Sequence, residues 1–167
     1  LLDPKQIKAN HYFGQTRHKS GEMATFVADN LKVLDDDGKA KLQSIIVALS
    51  AEAALPAQAD ADKAAEADGS LAKGRKALSE AFESSSCVDC HKFREAGDLG
   101  SAPDLTGWGS KDWLTRFISD PTHEAFYRQT NDRMPSFGQA NPDSTKRPLL
   151  TPVDIDLLSR YLRGEAL

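Results

Sequence analysis

Cys87, Cys90 and His91 fall within five residues, in SSSCVDCHKF at positions 84–93, and these are the only two cysteines of the 167-residue chain. Two thiols three positions apart, with an imidazole directly after the second, suit three kinds of chemistry. A C-x-x-C pair can cycle between dithiol and disulfide or supply half of a zinc site, and C-x-x-C-H is the attachment signature for c-type haem. In the haem case the thiols add to the two vinyl groups of a porphyrin. The two intervening residues match the separation of the vinyls, and the imidazole is held beneath the ring where it can coordinate the iron. A redox pair of the thioredoxin type needs a βαβ context, and no such strand pattern is visible. Structural zinc usually takes four Cys/His ligands. Here there are three, two of them in one tight turn, and no second C-x-x-C. The surroundings favour haem.

An iron that only carries electrons needs a sixth ligand. The chain offers two methionines, Met23 and Met134, and three further histidines, His11, His18 and His123. Met134 lies in NDRMPSFG, and the proline after it discourages helix at Met134. That suits a loop thioether aimed at a metal. Met23 instead falls on a helical apolar stripe, the usual place for a core methionine. Thioether ligation of a His-bound haem raises the reduction potential.

The elements that must position these residues read as helices. Aromatics make up 7% of the chain and long runs of β-branched residues are missing, which disfavours strands. Met23, Phe26, Val27, Leu31 and Leu34 give a stripe over residues 22–34. Leu42, Ile45, Ile46 and Leu49 give another over 38–55, after the acidic turn LDDDGK. Residues 56–70, PAQADADKAAEADGS, lack large apolar groups and read as a linker with room for some helix. A helix is expected over 71–83, a short one from Ser110 or Lys111 to Ser119 stopped by Pro121, and a last one over 151–163. In the last, Pro152 sits in the first turn and Asp154 and Asp156 near the positive end of the dipole. Net charge is −4 without a Lys/Arg-rich tract, which speaks against nucleic acid. The best apolar run, Ile45–Leu49, is far short of the roughly 18–20 residues of a membrane span. No signal peptide opens the sequence, so any membrane link would run through a complex or a missing anchor.

Residues 71–167 resemble a class I cytochrome c. The matching features are a helix with Phe82 shortly before CVDCH, APDL with Pro103 twelve residues beyond His91, MPSF at Met134, and the terminal DIDLLSRYL. The resemblance implies an all-α cytochrome c fold around one covalent haem c, here with an extra N-terminal helical segment. It implies that Cys87 and Cys90 bind the cofactor and that His91 and Met134 are the metal ligands. It also implies that the Pro103 carbonyl accepts the Nδ1–H of His91, and that the first and last helices of the unit cross, with Phe82 near Tyr161 or Leu158. Trp108, Trp113, Tyr127, Arg116, Arg128 and Arg133 are candidates for haem propionates, each equally readable as pocket wall or solvated charge. His123 would ligate only in a variant scheme and reads better as a surface cap.

Three segments are therefore expected: a helical appendage (1–55), a linker (56–70) and the cytochrome c domain (71–167). The appendage echoes the second half of that domain. LLDP at 1–4 pairs with ISDP at 118–121, FGQT at 13–16 with FYRQT at 126–130, and each stretch leads through a basic residue to Met23 or Met134 and then to a helix. Asp3 to Met23 spans 20 residues and Asp120 to Met134 spans 14, so any repeat is degenerate. An unrelated helical hairpin fits the same residues. Under the repeat reading Met23 is the one serious rival to Met134. The expected function is electron transfer in a respiratory chain between redox partner proteins, as a carrier rather than an enzyme, either alone or as a domain or subunit of a larger redox enzyme complex. Since haem is attached outside the cytoplasmic membrane in bacteria, the expected location is periplasmic or otherwise extracytoplasmic. The alternatives are a haem-based gas sensor or peroxidase with an open sixth site, and a haem-free metal-binding module.

Overall fold

A computed structural model describes residues 2–5, 17–131, 134–138 and 148–166. Among them the fold is all-α, with six α-helices and no strands. We label these α1 (Glu22–Asn30), α2 (Asp36–Glu52), α3 (Ala59–Ala67), α4 (Ser70–Ala77), α5 (Lys111–Ser119) and α6 (Pro152–Leu162). None is long and apolar enough to cross a membrane.

Three of the six helices start on a side-chain cap, which satisfies orphan amides of a first turn. Asp35 accepts from Gly38 N at 2.8 Å to begin α2, and Ser110 accepts from Trp113 N at 3.1 Å to begin α5. Thr151 and Asp154 form a reciprocal capping box at α6, with Pro152 in its first turn. The expected linker contains α3, which lies against α4 and buries none of its own residues.

α4 stops at Ala77, short of the expected 71–83. The Leu78 carbonyl is not used to extend the helix; it accepts the amide of Cys87 at 3.1 Å. Residues 79–86 thus form a loop that returns to the start of the helix's exit, and Phe82 is buried from that loop.

The core around the cysteine motif joins the N-terminal third to the centre of the chain. Val27, Leu31, Ile45, Leu78, Phe82 and Phe93 are buried together, with Met23, Phe26, Cys87 and Val88 packed against them. α4 docks on α2, and the expected crossing of α4 with the terminal helix is overturned. Phe82 meets Phe26 edge-on, with ring centroids 6.3 Å apart, and Lys41 lies 4.6 Å above the Phe82 ring. Tyr161 is 67% exposed instead. Gly74 explains the choice of partner. A Cβ there would come within 2.0 Å of the Ser44 carbonyl oxygen and 2.8 Å of the Ala48 Cβ, so only glycine permits the approach.

A second, aromatic core lies around α5. Phe126 is buried between Trp113 and Phe117, at centroid distances of 5.2 and 5.3 Å. Such pairs add about 0.5–1.5 kcal/mol each beyond area burial. α6 packs on α5 through Ile155 and Ser159, and Ser159 Oγ lies 3.3 Å from Thr115 Oγ1.

Candidate functional site

Cys87–Asp89 form one turn of 3₁₀ helix. Ser86 and Asp89 close it reciprocally: Ser86 N donates to Asp89 Oδ2 at 2.8 Å and Ser86 Oγ to Asp89 Oδ1 at 2.9 Å. The first of the Asp89 contacts that hold its carboxyl below the usual range is the one to the Ser86 amide. His91 N donates to the Cys87 carbonyl at 3.0 Å. This tight turn sets two thiols and one imidazole on consecutive steps of the same coil. Gly97 backs it with φ +68°; a Cβ there would lie 2.6 Å from both the His91 and Val88 carbonyl oxygens.

Cys87 is partly buried and Cys90 exposed. Burial pushes the Cys87 thiol up to about 11, against the pull of Lys41. Burial also raises Cys90, helped by the charge of Glu22. A redox or nucleophilic cysteine has its thiol lowered by nearby positive charge or a helix N-terminus. These two are held the other way, as un-ionised thiols.

His91 Nδ1 lies 2.7 Å from the Pro103 carbonyl oxygen, the hydrogen bond that the resemblance implied. A carbonyl can only accept, so Nδ1 carries the proton and Nε2 keeps its lone pair. Burial lowers the imidazole's proton affinity, opposed by the bond to Pro103. The ring is thus held with its tautomer fixed, an arrangement also found where second-shell acceptors orient metal-binding histidines. Two neutral thiols at C-x-x-C spacing beside such a ring fit a covalent haem. Among the described residues no group of three His, Cys, Asp or Glu side chains gathers to hold a metal ion.

The segments carrying His91 and Pro103 are laced along their length. Leu105 N donates to the Lys92 carbonyl at 2.9 Å and Arg94 N to Thr106 Oγ1 at 2.7 Å. Trp113 Nε1 donates to the Asp104 carbonyl at 3.0 Å, so that indole is committed to the chain itself and is no propionate donor. Beyond these rungs stands Glu52, a residue that sequence reasoning missed. Its buried carboxylate takes Arg94 on one oxygen and the Gly107 amide on the other. The available signal was a carboxylate seven residues after Ile45, on the buried stripe of α2.

Met134 is partly buried, and Asn131 pins its backbone from both sides: Asn131 Nδ2 donates to the Met134 carbonyl at 2.7 Å, and Met134 N to Asn131 Oδ1 at 3.2 Å. Met23 packs on the core that holds Cys87, while its neighbour Glu22 accepts from Ser101 Oγ at 2.8 Å. His18 faces Tyr127, with ring centroids 6.4 Å apart. Exposed His123 accepts the Ala125 amide on Nδ1 at 3.1 Å, a local bond within a turn rather than the cap of a helix. Of the remaining propionate candidates, Trp108 is 46% exposed, Arg116 lies over the Phe126 ring, and Arg128 Nε donates to the Glu124 carbonyl. His11, Arg133 and the FGQT stretch lie outside the described residues.

No protein-family model matches the chain, and no curated protein or solved structure matches it.

Proposed function

We propose that this protein is an electron carrier holding one covalent haem c through Cys87 and Cys90, with His91 and Met134 as axial ligands. The observation that carries this reading is the His91–Pro103 hydrogen bond at 2.7 Å beside the two cysteines of a capped C-x-x-C-H turn. When bound, a haem supplies reversible one-electron chemistry at its iron.

The chain's own residues do the rest. The Pro103 carbonyl fixes the His91 ring and makes the imidazole a stronger donor. The Ser86–Asp89 cap holds both cysteines on one turn. Asn131 hydrogen-bonds the Met134 backbone and Pro135 restricts it, so on this reading the thioether would be offered from a fixed loop. Phe82 and Phe93 belong to the apolar core against which Cys87 and Val88 pack. Partners on this reading are redox proteins docking briefly, in a respiratory chain on the extracytoplasmic side of the membrane.

The test is covalent retention. The full chain is produced with haem-attachment machinery, denatured, and weighed by mass spectrometry. The reading expects the mass of one added haem, lost in the double variant Cys87→Ala/Cys90→Ala. A chain of unmodified mass under these conditions overturns it.

A further inference from the structure

We propose that Glu52, at the end of α2, is a positioning residue for His91, and that the N-terminal third thereby tunes the iron. This rests on the haem reading above. The segments 91–94 and 103–107 run side by side with the His91–Pro103 bond at one end. At the other end Arg94 N meets Thr106 Oγ1, and Glu52 is the side chain that clamps both segments there. Arg94 Nε and Nη2 reach Glu52 Oε1 at 3.0 and 2.6 Å, and Gly107 N reaches Oε2 at 2.8 Å. One carboxylate therefore ties a residue three beyond His91 to a residue four beyond Pro103.

Three features make this a built contact rather than a surface pair. The Glu52 side chain is 4% exposed, so the charge is held out of water and depends on these donors. Arg94 adopts φ +55°, a left-handed backbone that an L-residue enters only when its surroundings hold it there. The end of α2 is also fixed from elsewhere, since Arg163 donates to the Ala54 carbonyl at 3.0 Å and to that of Gly109 at 3.0 Å. Glu52 is thus a rigid anchor, and the ladder beside His91 is what it anchors.

The consequence is electronic as well as mechanical. A firm Nδ1–H···O=C bond makes the imidazole a stronger donor, which stabilises ferric iron and lowers the potential. Loosening the ladder weakens that bond and should raise it.

The experiment compares Glu52→Ala, Glu52→Gln and Ala48→Gly in the full chain. Ala48 is fully buried on the same helix, against Gly74 and outside the core that holds Phe93 and Cys87, so it reports on helix stability and packing away from the ladder. In haem-loaded protein, Glu52→Ala should shift the midpoint potential upward and Glu52→Gln, which keeps an amide oxygen for one donor, should shift it less. Ala48→Gly should lower the melting temperature without moving the potential. In haem-free protein, the ring Nδ1–H of His91 should be protected from exchange by NMR in the parent and in Ala48→Gly, and lose protection in Glu52→Ala. If Glu52→Ala changes only the melting temperature, as Ala48→Gly does, the positioning role is wrong. If no haem is ever bound, the electron-carrier reading fails, and the exchange measurement still decides whether Glu52 holds His91.

Discussion

α2 and α6 are both amphipathic helices that follow a methionine-bearing stretch, yet one is covered and the other is left open. α2 packs on α4 and buries Ile45, Ala48 and, toward Arg94 and Gly107, Glu52. α6 buries Ile155 and Ser159 against α5, while Val153, Leu157, Tyr161 and Leu162 stay between 41% and 67% exposed. The difference does not come from hydrophobicity, because α6 carries the larger apolar side chains. It comes from small residues. Gly74 and Ala48 let the backbones of α4 and α2 meet, and the larger stripe of α6 finds no such partner among the described residues. An apolar face states that burial is favourable; small residues decide what can reach it.

That contrast can be broken in order of expected effect. Ile45→Ala removes a fully buried side chain from the covered face and should cost about 2–5 kcal/mol in denaturant melts. Gly74→Ala is more diagnostic because its sign is at issue. On helix propensity alone alanine would gain up to about 1 kcal/mol over glycine. With the Ser44 carbonyl 2.0 Å from the new Cβ, we expect net destabilisation of roughly 1–3 kcal/mol instead. A stabilised Gly74→Ala protein would mean that α4 does not lie on α2.

The open helix should respond differently. Its capping box holds the Asp154 carboxyl below the usual carboxylate range, chiefly through the Thr151 side chain and then the Thr151 amide. A lowered carboxyl stabilises the fold while it is charged. The contribution is complete above the ordinary value of about 4 and fades as pH falls through the lowered one. Asp154→Asn should therefore melt below the parent at neutral pH, and the gap should narrow in acid; a gap independent of pH would remove the charge from the explanation. Smallest of all is Leu157→Ala on the exposed face, expected within about 0.5 kcal/mol of the parent. A loss of several kcal/mol there would show that α6 is covered in solution.

The same contrast marks what the sequence makes legible. The starts of α5 and α6 are written in local chemistry, as Ser110 before an apolar stripe and as Thr151-Pro152 with Asp154. The His91–Pro103 bond was implied by the family resemblance carried by CVDCH and APDL. The partner of α4 did not, because Leu71, Leu78 and Phe82 would suit either α2 or α6, and only the space around Gly74 separates them. The early end of α4 was hidden for a similar reason: the Leu78 carbonyl is claimed by Cys87, nine residues on, which no helical period records. Glu52 looked like an ordinary acid at a helix end, and its value lies in two donors from distant segments. Local signals survive reading along the chain; contacts made across it do not.

The central claim is that CVDCH and a methionine hold one low-spin haem. Visible absorption of the purified protein, oxidised and then reduced, tests it most directly when repeated on Met134→Ala and Met23→Ala. The account predicts sharp ferrous c-type bands and a weak red ferric band of a sulfur–iron bond, the latter lost in Met134→Ala and kept in Met23→Ala. Loss of the red band in Met23→Ala alone would move the sixth ligand to α1. A high-spin spectrum that shifts with carbon monoxide, or no haem absorption at all, would contradict the account.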